Sequence, residues 1–316
     1  MPETQPIIEV SHLTKEYPGV HAVNDLSFTV YDGDVYGFLG QNGAGKSTTI
    51  RMLLTLVKPT GGNIRIFGKD LSAHRHEIMS QTGAIIERPD LYKYLSAYDN
   101  LKIFARMSGR RAGRALLMER LDMVGLADRW NSAVKTFSQG MKQRLGIAVS
   151  LIHDPRLVLL DEPTNGLDPQ GIADMRNLII SLKKDMGKTV LVSSHLLSEI
   201  EQVATRMIII NKGAKIAEGY VHELLSPSNT VVTIETLDNT LAIALIHKEY
   251  PLLRPVTDGM QIRVNMDKAR VPELVSRLAA SGAGVVSIKP RHSLEEYFLS
   301  LTNQGQHVEP VADRVI

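Results

Sequence analysis

The apolar positions change period along the chain, and those changes divide it. From Ile7 to Val10, and again from His21 to Tyr31 (HAVNDLSFTVY), apolar and β-branched residues alternate with polar ones. With Pro18-Gly19 and Asp32-Gly33 as turns, this predicts an N-terminal antiparallel β layer with Tyr17 in a loop. Asn63 to Phe67 (NIRIF) returns as a strand after the turn Pro59-Thr60-Gly61-Gly62. Val35 to Leu39, Gly83 to Glu87 (GAIIE), Leu157 to Leu160, Lys188 to Ser194 (KTVLVSS) and Arg206 to Asn211 (RMIIIN) read as buried strands. Strands covered on both faces, alternating with helices, predict a mainly parallel sheet, and Lys212-Gly213 a hairpin turn into Ala214 to Glu218.

Between Ser96 and about Val124 the period becomes helical, with Ser96 and Asp99 as a capping box, and helical character continues to about residue 150 as an insertion. Gly109 to Gly113, with its arginines, is a solvated turn inside it. Helices are predicted from Lys142 to Ile152 behind a cap near Ser138, from Asp168-Pro169 to about Met186, and from Leu196 to Ala204.

Beyond Tyr220 the segments shorten: strand Val231 to Ile234, helix Thr240 to Lys248, strand Leu253 to Val256, turn Asp258-Gly259, strand Gln261 to Val264, helix Lys268 to Ser281, strand Val285 to Ile288. This β-α-β-β-α-β order predicts a small α+β accessory domain of ferredoxin-like plan over residues 221–302, after a first domain over 1–220. Ser293 and Glu296 would cap a last helix carrying Leu294, Tyr297, Phe298 and Leu301, and residues 303–316 read as a flexible tail.

Composition narrows the function. In 316 residues, 36 basic against 34 acidic side chains leave +2, which gives no electrostatic reason to expect a nucleic-acid partner. Cysteine is absent, so disulfides and thiolate metal sites are excluded. The N-terminus MPETQPIIEV lacks a basic region followed by an apolar core, and no apolar run approaches the roughly 18 residues of a membrane span. The expectation is a soluble chain that another polypeptide would hold at any membrane.

The candidate chemistry starts at Gly40-Gln41-Asn42-Gly43-Ala44-Gly45-Lys46-Ser47-Thr48, between the strand Val35 to Leu39 and an apolar helix. It fits G-x-x-x-x-G-K-[ST]: the glycines let backbone N–H groups face one anion, Lys46 reaches the outer phosphates, and Ser47 offers a hydroxyl to Mg2+. The helix N-terminus favours the polyphosphate of a nucleotide such as ATP. Downstream, Asp161 and Glu162 end an apolar strand where open α/β sheets bind ligands, and His195 ends the next. Ser138-Gln139-Gly140-Met141 could present a second anion site at a helix start.

Taken together, GQNGAGKST, FSQGMKQR, LVLLDEPTNGLD and SSH resemble the nucleotide-binding subunit of ABC transporters over residues 7 to 220, and so a P-loop NTPase of α/β class. The resemblance implies that Gly40 to Thr48 bind ATP, that Asp161 supports Mg2+ with Ser47 as a ligand, and that Glu162 is the general base. It gives His195 the γ-phosphate, Tyr17 the adenine, and Asn165 to Asp168 a dimer interface. It makes Ser138 to Met141 the signature that binds a nucleotide held by a second subunit, so two complete sites need a head-to-tail pair of chains.

Two positions depart from the usual pattern: Gln139 replaces the signature's glycine, and Glu87 replaces a glutamine, still able to ligate Mg2+. With the QGMKQRLGIA continuation and the HSLEEYF helix, they narrow the resemblance to ATPases of bacitracin-type and lantibiotic self-protection exporters. That implies a membrane-spanning permease partner, seated on Arg88 to Tyr98 through partly exposed Leu91, Tyr92, Tyr94 and Leu95, and a place at the cytoplasmic face of the membrane. A GTPase or kinase would lack the signature. A non-transport ABC ATPase acting in regulation, translation or DNA repair remains the alternative.

Overall fold

In chain order the elements are β1 (Pro6–Tyr17), β2 (Val20–Tyr31), β3 (Val35–Gly40), α1 (Lys46–Leu53), β4 (Gly61–Ile66), β5 (Lys69–Asp70), α2 (Arg75–Met79) and β6 (Thr82–Ile86). There follow α3 (Ala97–Met107), α4 (Arg114–Met123), α5 (Gln139–Ser150), β7 (Leu157–Asp161), α6 (Pro169–Lys184), β8 (Thr189–Ser194), α7 (Leu197–Val203), β9 (Arg206–Asn211), β10 (Ala214–Tyr220) and the single turn α8 (Val221–Leu224). The last elements are β11 (Thr230–Thr236), α9 (Asn239–Glu249), β12 (Val256–Asp258), β13 (Gln261–Met266), α10 (Val271–Ala280) and β14 (Val285–His292). The structure is a computed structural model that describes residues 5–225, 230–259 and 261–292. The helix expected from Ser293 and the tail lie outside the described residues.

Backbone contacts divide the chain into two units, Met1–Val221 and His222–Ile316. In the first, an antiparallel sheet ordered β2-β1-β4-β5 faces a sheet ordered β10-β9-β3-β8-β7-β6. In the second sheet all neighbours are parallel except β9 and β10. Helix α1 packs on β2, β3 and β7, so its Ile50, Met52 and Leu53 join the core shared by both sheets. Phe28 of β2 stacks on Tyr36 at 5.9 Å and meets Phe38 edge-on at 5.4 Å, fastening the antiparallel layer to β3. The second unit has an antiparallel sheet ordered β12-β13-β11-β14 with α9 and α10, and its core includes Ile234, Ile246, Ile262 and Leu274.

Several boundaries differ from the sequence reading, each for a tertiary reason. Strand β1 extends to Tyr17, which is therefore a strand residue and not in a loop, because β1 pairs with β2 throughout and with β4 in part. One of its register shifts against β2 falls between Val10 and Leu13, where His12 takes φ +51. Strand β6 stops at Ile86, and Glu87 turns away at φ +55. Helix α5 starts at Gln139, earlier than Lys142, because Ser138 Oγ accepts from Met141 N at 3.2 Å as its cap. Strand β12 begins only at Val256, since Leu253 is held in a turn by its N–H to Tyr250 O at 2.9 Å.

Candidate active site

The loop from β3 into α1 depends on backbone angles that side chains resist. Gly43 has φ +80 and Gly45 φ +102. A Cβ on Gly45 would also lie 2.4 Å from Ala22 O, so glycine is what lets β2 cross the loop at that point. The turn Lys212-Gly213 braces the same place: Gly213 N donates to Ala44 O at 3.0 Å, and Asn24 N to Gly213 O at 2.9 Å. Helix α1 has neither a side-chain cap nor an acid in its first turn, so its leading N–H groups remain open to an anion.

Lys46 is 5% exposed, and its Nζ donates to Gly40 O at 2.7 Å and Gln41 O at 3.1 Å. The ammonium also lies 3.0 Å from Glu162 Oε1, an ion pair without hydrogen-bond geometry. Glu162 is 9% exposed, with its backbone in the left-handed region at φ +49. Its other oxygen, Oε2, accepts from His195 Nδ1 at 2.8 Å. One buried carboxylate thus joins the phosphate-loop lysine to the histidine at the end of β8. Beside it, Ser193 Oγ accepts from Glu162 N at 2.9 Å and donates to Asp161 Oδ1 at 2.6 Å. Asp161 is fully buried, and its Oδ2 has no hydrogen-bond partner among the described residues.

These groups border a cleft of ≈ 870 Å³. Its walls are the phosphate loop, Val20 and Ala22 of β2, Glu87 with Arg88, Gln139 at the start of α5, and Glu162, Asn165 and Gly166. A site of this size with open N–H groups, a buried lysine and a carboxylate base suits a nucleoside triphosphate.

The ABC transporter family profile matches residues 23–165, which contain the phosphate loop, α5 and Glu162. The bacitracin transport ATP-binding protein BcrA of Bacillus licheniformis is 42% identical over 302 residues, covering 95% of this chain and 98% of that one. The chain belongs to the ABC transporter ATP-binding family. A lantibiotic transport ATP-binding protein, SrtF of Streptococcus pyogenes, is 43% identical over 212 residues, 67% of this chain and 90% of that protein. Among solved structures, an ATP-binding cassette captured as a dimer in a post-hydrolysis state with ADP and phosphate superposes with a TM-score of 0.62 at 25% identity, over 68% of this chain and 98% of that one. As a member of this family the chain is an ATP-binding, ATP-hydrolysing subunit with the P-loop NTPase fold.

In this ABC ATPase subunit the expected site residues are distributed unevenly. The phosphate loop, Lys46, Glu162 and His195 form one connected group, with Asp161 beneath it. Glu87 borders the cleft, but its carboxylate Oε1 accepts from Arg51 at 2.7 Å. Of Ser138 to Met141, only Gln139 borders the cleft, and the Ser138 side chain is used in capping. Tyr17 stands at the end of β1, beneath the Lys15 ammonium at 4.8 Å, outside the cleft-lining set. Leu91 is buried, contrary to expectation, because the loop after Glu87 folds inward there. Tyr92 and Tyr94 remain 48% and 84% exposed.

Two contributors went unnoticed in the sequence. Arg51 reads as an ordinary basic residue on a helix, and nothing local marks it as the partner of Glu87. Ser193 did carry a signal, a hydroxyl two residues before a site histidine in the SSH triplet.

Proposed function

We propose that this chain powers the export of a peptide antibiotic or a related amphiphile, working as a pair beneath a membrane-spanning permease at the cytoplasmic face of the membrane. The observation that carries the hydrolytic part is the bridge from Lys46 through Glu162 to His195 at the end of an open-ended phosphate loop. The cargo class rests on relatives named for bacitracin and lantibiotic transport. Among the described residues no helix is long and apolar enough to cross a membrane, which fits a separate permease.

In the proposed cycle the triphosphate lies along Gly43 to Thr48 and draws the Lys46 ammonium away from Glu162. The freed carboxylate accepts a proton from the attacking water as the bond from the γ-phosphorus to its bridging oxygen breaks. His195 stays on Glu162 through Nδ1, and to bond the γ-phosphate as well its other ring nitrogen must carry a proton. Asp161 Oδ2, a buried acceptor without a hydrogen-bond partner among the described residues, and the Ser47 hydroxyl fit Mg2+, which would supply charge neutralisation at the phosphates.

The pairing reading is supported by the α5 N-terminus, where a helix start faces the cleft side through Gln139 and a Cβ on Gly140 would meet nothing closer than 3.9 Å. Permease docking falls to the loop with exposed Tyr92 and Tyr94. Asn100 fixes that loop, accepting from Tyr92 N at 2.8 Å and donating to Tyr92 O at 3.1 Å. The loop also touches α5: Gln143 donates to Glu87 O at 3.2 Å, and a Cβ on Gly146 would lie 2.5 Å from Pro89. The proposed docking loop and the signature helix are therefore in direct contact.

Glu162→Gln removes the proton acceptor and leaves the nucleotide contacts. With ATP and Mg2+ this variant is expected to elute as a dimer in size-exclusion chromatography, while Lys46→Ala stays monomeric. A Glu162→Gln chain that binds ATP yet remains a monomer would contradict the pairing.

A further inference from the structure

Two turns carry the reactive groups, and both send a hydroxyl to one carboxylate that the proposed cycle does not use. Thr164 Oγ1 donates to Glu199 Oε2 at 2.8 Å, and Ser194 Oγ donates to the same oxygen at 2.6 Å. Ser194 Oγ also accepts from Leu196 N at 3.0 Å, which closes the chain around His195. On the other side Asn165 N donates to Glu162 O at 3.1 Å and Leu167 N to Thr164 O at 3.1 Å, closing the turn that leaves Glu162. Ser194 is buried, Glu199 lies in the first turn of α7, and Glu199 and Arg176 both line a void of ≈ 20 Å³.

Hydrogen bonds to an ionised carboxylate are shorter and stronger than neutral ones, so this pair resists shear between the turns. The His195–Glu162 bond spans the same gap at 2.8 Å, beside the bond from Glu162 N to Ser193 Oγ at 2.9 Å, which holds the Glu162 backbone. We propose that Glu199 is a positioning residue for ATP hydrolysis: by holding Thr164 and Ser194 on one oxygen it sets the distance between His195 and the general base Glu162. The inference rests on the roles proposed above for those two residues. A carboxylate that merely capped α7 would need neither hydroxyl.

The test uses purified full-length chain and compares Glu199→Leu, Glu199→Gln, His195→Ala and the double variant Glu199→Leu/His195→Ala. Hydrolysis is followed at saturating ATP, and affinity by equilibrium titration with ATP. Glutamine can offer its amide oxygen to both hydroxyls, whereas leucine offers nothing. Glu199→Leu is expected to lower kcat by about tenfold or more with ATP affinity within about threefold, because the phosphate loop is untouched. Glu199→Gln should keep kcat within about threefold of the unaltered chain, and on the His195→Ala background the leucine should cost less than about twofold further. If Glu199→Leu does not fold, Thr164→Val with Ser194→Ala carries the same expectation. Full kcat in Glu199→Leu while His195→Ala is slow, an effect that multiplies independently of His195, or a glutamine variant as slow as the leucine one would overturn the inference alone. Full activity in His195→Ala would overturn the proposed site, and this inference with it.

Discussion

Glu162 is held in a backbone conformation that costs a non-glycine residue about 1–3 kcal/mol, at φ +49. The surrounding hydrogen bonds over-determine it: its N–H is fixed by Ser193, and its carboxylate lies between Lys46 and His195. Glu87, at φ +55, is a second strained acid, but its carboxylate is largely exposed and satisfied by Arg51. The two acids should therefore respond differently to loss of charge. Glu87→Gln can still accept from Arg51, so ATP binding and hydrolysis are expected to remain within about threefold, because an exposed ion pair is worth only about 0–1 kcal/mol. Lys46→Ala should abolish measurable ATP binding. Parallel titrations and phosphate-release assays would decide this, and equal losses in the two variants would remove the distinction.

At the scale of elements, the end of α5 is tied to the parallel sheet by groups whose charge matters. His153 Nε2 donates to Thr82 O at 3.2 Å at the start of β6, and Lys188 Nζ donates to Asp154 at 2.7 Å just before β8. Burial pushes the His153 pKa below the ordinary histidine value, and Arg110 and Lys188 press it further down while Asp154 and the Thr82 carbonyl oppose them. The unfolded chain therefore binds a proton more readily than the folded one. Stability from this site is intact above the unfolded value near about 6.5 and is lost as pH falls from there through the folded value. His153→Asn keeps an N–H for Thr82 and cannot titrate. Its melting temperature is expected to fall less between pH 7 and pH 5.5 than that of the unaltered chain, by thermal unfolding followed with circular dichroism. Identical slopes would show that His153 does not carry the acid sensitivity. The Lys188 hydrogen bond lowers the Asp154 pKa, so that pair weakens only at lower pH.

At the scale of the molecule, the cleft and the loop that carries exposed Tyr94 are joined by contacts through Glu87, Pro89 and α5, the route by which docking is proposed to reach the nucleotide. A charge on that surface should interrupt permease docking and leave the nucleotide site alone. Tyr94→Glu is expected to co-purify at least about fivefold less of the membrane partner from detergent-solubilised membranes, with unchanged ATP hydrolysis by the isolated chain. Undiminished co-purification would move the docking surface elsewhere. Much of this organisation was legible in the sequence: the phosphate loop, the apolar strand before Asp161-Glu162, and the caps at Ser96, Ser138 and Asp168 depend on residues within a few positions of each other. Tyr17, Leu91 and β12 were misplaced because strand pairing and loop burial, not local pattern, set them.

Taken by itself, then, the chain determined its chemistry and the order of its elements, since glycine angles, helix caps and runs of apolar residues act over one or two turns of backbone. Only the tertiary structure decided which acid meets which base. His195 and Glu162 are 33 residues apart and Arg51 and Glu87 are 36 apart. Their pairing depends on parallel strands and packed helices bringing distant side chains together, and at Glu162 a buried charge must also find an opposite partner or a donor.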